Sequence, residues 1–132
     1  MNRRTFLQAL AGASVAGADQ ADFTLRIAPV EVEIAPRHSI KTTAYNGGFP
    51  GPTLRMTEGR PVTIDVYNDS SIAEIVHWHG LFVPPEVDGS MEEGTPMVPP
   101  HTHARYQYVP RPSGTRWYHS HISAGRDLNR AT

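Results

Sequence analysis

Six of the chain's seven histidines fall in three His-x-His pairs. "VHWHG" (76–80) carries His77 and His79, "HTH" carries His101 and His103, and "HSH" carries His119 and His121. Random scatter over 132 positions rarely produces this, so at least some of the pairs have a cause. On a strand, residues i and i+2 point to the same face about 6.5–7 Å apart. Two imidazoles then project side by side, widely spaced for chelating one ion but well spaced for binding two ions a few ångströms apart. Two such strands facing each other bring four nitrogens together, and a multinuclear metal site becomes natural. Imidazole suits copper, zinc, iron and nickel alike, so ligand type leaves the metal open. A zinc hydrolase would usually want a carboxylate or an open water position beside its histidines. Few carboxylates lie near the pairs: Glu74 before the first and Asp88 after it.

Context separates the pairs. His77 and His79 flank Trp78 and follow Ile75 and Val76, which mark a buried strand end. His119 and His121 follow Arg116-Trp117-Tyr118, another aromatic strand end. His101 and His103 come after Pro99-Pro100, at a turn, with no apolar neighbour before Tyr106, and read as surface residues. His38, between Arg37 and Ser39, also reads as exposed. Met91 and Met97 carry soft sulfurs, but in a proline-rich loop their expected role is to fill gaps.

The elements that must position these pairs read as short strands. Phe23, Leu25 and Ile27 alternate, Pro29 breaks the frame, and Val30, Val32 and Ile34 alternate on the shifted one, predicting a strand with a bulge or bend. Residues 45–61 are dense in Gly and Pro, with a short strand expected around Leu54 and Met56. Val62, Ile64 and Val66 then alternate with Thr63, Asp65 and Tyr67 in the clearest strand of the chain. "EIVHWHG" forms another strand, residues 84–100 a long proline-bounded loop, and "RYQYVP" and "TRWYHSH" two closing strands joined by "RPSG". There is no internal repeat and no long helical period. Twelve prolines and eleven glycines without low complexity support an all-β class, and short strands with long crossing loops suggest a Greek-key β-sandwich.

At this length the chain fits one domain. Net charge is -1 with no basic stripe beyond the first four residues, so neither a nucleic acid nor a membrane surface is indicated as partner. The absence of cysteine excludes disulfides, thiolate metal sites and cysteine nucleophiles. Residues 1–18 read as a signal peptide. Arg3-Arg4 precede a small and apolar run, and Ala16-Gly17-Ala18 resembles a cleavage site. The "RRTFL" core resembles a twin-arginine export signal, although Asn2 and Gln8 depart from the usual pattern. An exported protein, periplasmic or extracellular, is expected. Cleavage after Ala18 would leave ten basic against thirteen acidic residues, a net charge of -3.

With their flanks, the first and third pairs resemble the N-terminal cupredoxin (plastocyanin-like) domain of the laccase-like multicopper oxidases. "YNGGFPGPTLRMTEGRPVTIDVYN" is similar to that domain's opening pattern, "HWHGLFVPPEVDG" to its first copper motif and "RWYHSH" to its second. The likeness runs from about residue 23 to 128. It implies a cupredoxin-like domain over 19–132 that supplies four of eight histidines to a trinuclear copper cluster reducing dioxygen to water. By position, His77 would bind the type 2 copper and His79, His119 and His121 the type 3 pair. Asp88 falls where the family has an acid that hydrogen-bonds around the cluster and helps deliver protons. Nothing carries over to His101 and His103.

The family's remaining cluster histidines and its type 1 copper, with a His-Cys-His segment, belong to a C-terminal domain, whereas this chain has no cysteine. Nor do the residues after the third pair offer the apolar alternation of a closing strand. The expectation is a C-terminally truncated piece of an exported oxidase, inactive alone. Its partners would be the missing cupredoxin domains or a complementing chain, with dioxygen and an unidentified reducing substrate. The alternative is a stand-alone module that sequesters copper without turnover.

Overall fold

The computed structural model describes residues 20–122. The signal peptide expected at 1–18 and the missing closing strand expected after the third pair lie outside these residues. The described residues form six strands: β1 (Phe23–Ala35), β2 (His38–Tyr45), β3 (Val62–Asn68), β4 (Val76–His79), β5 (Thr102–Tyr108) and β6 (Trp117–Ser120). They form a four-stranded sheet in the order β2-β1-β3-β5 and a two-stranded sheet of β4 and β6. No helix among the described residues is long and apolar enough to cross a membrane.

The alternating residues of β3 place Val62, Ile64 and Val66 in the core. This strand runs parallel to the first half of β1 and antiparallel to β5. After Ile27, β1 leaves β3 and pairs with β2 alone, so Pro29, which has no N–H to give, faces a ladder on one side only. Pairing with β2 runs unbroken past Pro29, and the irregularity comes later, between Glu33 and Ala35. The expected bend at Pro29 is thus a change of partner, and the bulge sits near the hairpin end.

Leu25, Ile27, Ile64 and Val66 from the larger sheet meet Val76 and Trp78 from the smaller one. Trp78 is the centre of an aromatic group. Its ring lies edge-on to Tyr106 at 5.7 Å and tilted to Tyr108 and Tyr118 at 5.3 and 5.9 Å. Strand β4 is therefore anchored by Val76 and Trp78, and its other face is left to His77 and His79.

Two expectations about the loops are corrected. The segment holding Leu54 and Met56 is not a strand, although both side chains pack against the core and their neighbours face out. A cavity of about 600 Å³ lies between this segment and β6, lined by Tyr45, Trp78, Tyr108 and Tyr118 among others, so the two do not pair. The Tyr118 hydroxyl spans the gap, donating to the Pro52 carbonyl at 2.8 Å. The long loop at 84–100 contains a single helical turn, α1 (Pro85–Asp88), which proline at its start favours and Gly89 ends in a left-handed conformation. The loop is pinned inside. Thr95 Oγ1 donates to the Pro85 carbonyl at 2.6 Å and accepts from the Gly89 N–H at 2.9 Å.

Asn68, fully buried at the end of β3, ties the next crossing to the core. Its Nδ2 donates to the carbonyls of Ile72 and Val98, and its Oδ1 accepts from the Ser70 N–H and hydroxyl. Those bonds fix the approach to β4.

Candidate metal centre

In the β4–β6 ladder, His77 lies opposite His119, Val76 opposite Ser120, and Trp78 opposite Tyr118. Strand alternation does the sorting: Val76, Trp78 and Tyr118 turn to the core, and His77, His79 and His119 to the opposite face. His121 lies just past β6, and its N–H reaches the Ile75 carbonyl at 3.2 Å, so the turn after the ladder still brings it to the group.

His77 sits in the middle. Its ring centroid lies 5.5, 5.3 and 5.1 Å from those of His79, His119 and His121. One ligand atom from each of His77, His79 and His119 can be chosen so that all lie within 4.8 Å of one another. His79 Nδ1 stands 3.4 Å from His119 Nε2. His77 and His119 are half-buried, while His79 and His121 are exposed, so the face opens to solvent on one side.

Backbone carbonyls select the ring nitrogens. His77 Nδ1 lies 2.7 Å from the Asp88 carbonyl oxygen, and His119 Nδ1 2.9 Å from the carbonyl of Ser120. A carbonyl only accepts, so each Nδ1 carries the hydrogen and each Nε2 keeps its lone pair for a metal. The Asp88 carboxylate also approaches His77, with Oδ2 3.4 Å from Nδ1. Burial pushes the His119 imidazole below its ordinary pKa, and the neighbouring histidines lower it further while the Ser120 carbonyl opposes them. The net shift favours the neutral form that a metal needs.

Two further contacts hold the frame. Trp117, though 53% exposed, stacks on His119 at 4.2 Å and leans on His79 at 4.6 Å, filling the flank of the group. At the end of β4, Arg116 Nε donates to the Gly80 carbonyl at 3.0 Å.

The four histidines and Asp88 named from sequence therefore converge. His101 and His103 stand elsewhere: His101 is an exposed turn residue at φ 56, and His103 stacks on Tyr67 at 5.3 Å on the outer face of the larger sheet. His38 is exposed, Met91 is exposed and Met97 half-buried. Sequence reasoning noted Glu74 only as a nearby acid and passed over Ser120. Their side chains meet inside the fold, and no spacing signalled it.

Strands β4 and β6, with the residue just past β6, present four imidazoles on one face of a small β-sandwich, a nitrogen-rich donor set free of thiolate that suits copper as it does zinc, iron or nickel. The multicopper oxidase family model matches residues 26–131, and the chain belongs to that family. Copper resistance protein A of Pseudomonas syringae pv. tomato is 35% identical over 140 residues, covering 91% of this chain and 23% of that protein. Laccase-6 of Oryza sativa subsp. japonica is 37% identical over 115 residues, covering 84% of this chain and 20% of its own length. Among solved structures, Lac15 from a marine microbial metagenome matches with TM-score 0.70 and 33% identity over 75% of this chain and 27% of that one. The blue copper oxidase of Nitrosomonas europaea gives TM-score 0.71 at 29% identity, covering 76% and 32%. The fold is accordingly all-β and cupredoxin-like. The chain spans about a fifth to a quarter of the length of the protein relatives named here.

Proposed function

We propose that this chain is the N-terminal cupredoxin domain of an exported oxidase and supplies four imidazoles to a trinuclear copper cluster. His77 binds the type 2 copper, and His79, His119 and His121 bind the type 3 pair. The observation that carries this is the convergence of ligand atoms from His77, His79 and His119 within 4.8 Å, on a face that is open on one side. The remaining ligands and the type 1 copper come from other cupredoxin domains, in the same polypeptide or a complementing one. Copper held there would relay electrons from the reducing substrate, which is oxidised, to dioxygen, which is reduced to water.

The chain's own residues perform three tasks. The Asp88 and Ser120 carbonyls hold the Nδ1–H groups of His77 and His119, which aims each Nε2 at the open face. Trp117 shields the flank of His79 and His119. The Asp88 carboxylate, 22% exposed and 3.4 Å from His77 Nδ1, touches both solvent and the group, and takes the role of passing protons toward reduced oxygen. Residues 1–18, with Arg3 and Arg4, act as the export signal.

Copper titration of the purified chain, followed by calorimetry and electron paramagnetic resonance, tests the site. His77→Ala should abolish or strongly weaken binding, whereas His101→Ala should leave it unchanged; equal losses would sink the assignment. A second reading, a module that sequesters copper without turnover, draws on the same three close nitrogens, which suffice for one ion. Stoichiometric binding without oxidation of phenols or diamines, even after the missing domains are supplied, would favour it.

A further inference from the structure

We propose that Glu74 is a positioning residue for the metal centre, fixing Ser120 from inside the sandwich and, through Ser120, the imidazoles of His119 and His121. This inference rests on reading that face as the copper site. Glu74 is only 1% exposed. A carboxylate is almost never buried so deeply without partners, and at a position that served packing alone a neutral side chain would cost less. Ser120 Oγ donates to Glu74 Oε2 at 2.9 Å. The Glu74 backbone is itself held in place: its N–H donates to the Val98 carbonyl at 2.9 Å, and the Val98 N–H donates back at 2.7 Å. The carboxylate thus reaches β6 from a platform attached to the core.

Ser120 is the residue from which both histidines hang. It lies between them and forms the last rung of the ladder, opposite Val76. Its carbonyl accepts the His119 Nδ1–H at 2.9 Å, and beyond it the chain leaves β6. Because side chains alternate, its hydroxyl points inward where the flanking imidazoles point out. Glu74 therefore acts from behind the sheet without touching the metal, and holds the carbonyl that sets the His119 ring. Glu74→Gln separates position from charge, since the amide oxygen still accepts the Ser120 hydroxyl.

The full chain, wild type and three variants, would be titrated with copper and its metal-free imidazoles followed by ¹⁵N NMR. Glu74→Ala and Ser120→Ala should weaken copper binding roughly 10- to 100-fold, the usual effect of removing a group that orients a metal ligand. Glu74→Gln should restore most of it. Without metal, the His119 Nδ1–H resonance should shift in both alanine variants and return in Glu74→Gln. Wild-type affinity in the alanine variants would overturn the proposal, as would a glutamine variant as weak as alanine. If the wild-type chain takes up no copper, the site does not form on this chain alone. The metal-free spectra then decide the positioning claim, and an unmoved His119 signal in Ser120→Ala overturns it. Should Glu74→Ala fail to fold, Ser120→Ala, which removes a single oxygen, carries the test.

Discussion

His77 meets the Asp88 carbonyl because the residue after Asp88 has no side chain. Gly89 sits at φ 86, and a Cβ there would lie 2.0 Å from the Val76 carbonyl oxygen and 2.4 Å from His77 Cα. Both are backbone atoms of β4, so no flexible side chain can move aside. Gly89→Ala should cost about 2 kcal/mol or more from strain at a left-handed position and the clash together. It should lower Tm by roughly 10 °C, and thermal denaturation checks this. The same substitution pulls the carbonyl away from His77, so copper affinity should fall further than in Asp88→Ala, which keeps that carbonyl and loses only the carboxylate. The Asp-Gly pair was legible in the sequence beside the first histidine motif. The reason for its glycine was not, because the clash is with a strand ten or more residues earlier.

The larger sheet shows how far an element's own pattern reaches. The strand at 62–68 was legible from Val62, Ile64 and Val66, yet Asp65, on the face that the pattern assigns to solvent, is also buried. It lies opposite Arg105 on β5, which grips it through Nε–Oδ1 at 2.7 Å and a second bond to Oδ2 at 2.8 Å. These bonds hold the Asp65 carboxyl below its ordinary value of 3.8. A lowered folded pKa means that the unfolded chain binds the proton first. The stabilisation is therefore fully present above the ordinary value and is lost as pH falls through the lowered one. Urea unfolding at pH 7 and near pH 3 should show that loss in the wild type and a smaller one in Arg105→Ala. At pH 7, Arg105→Ala should itself cost about 1–3 kcal/mol, by leaving the carboxylate without its fork. The segment around Leu54 and Met56 teaches the converse. Leu54 and Met56 do turn inward at alternate positions, as in a strand, but alternation describes exposure and cannot supply a neighbouring strand.

At the scale of the molecule, one core supports one histidine face, and metal binding to that face would couple to folding. On the proposed assignment, four imidazoles gathered in the folded state would bind copper far better than the same residues in the unfolded chain. Copper at a hundred times its dissociation constant should then stabilise the protein by about 2.7 kcal/mol. Tm should rise by on the order of 10 °C, and a chelator should reverse the rise. An unchanged Tm would count against a site formed by this chain alone and favour one completed only when other domains are present. The chain's share of its relatives' length, about a fifth to a quarter, agrees with a donor face that is open on one side.

The sequence by itself determined the histidine candidates, because strand periodicity and aromatic context are local: Trp78 and Tyr118 in the core require His77, His79 and His119 on the other face. It also determined the all-β class, through the alternation of β1 and β3 and the density of turn residues. Context and resemblance had already singled out the first and third "HxH" pairs, but the tertiary structure alone decided how they meet. That depends on β4 pairing with β6 across some forty residues, and on His103 instead finding Tyr67 on a different sheet. It alone decided the supporting contacts as well: Asp88 to His77, Glu74 to Ser120 and Arg105 to Asp65. Each joins residues distant in the chain, and their strength comes from burial and geometry that no local spacing encodes.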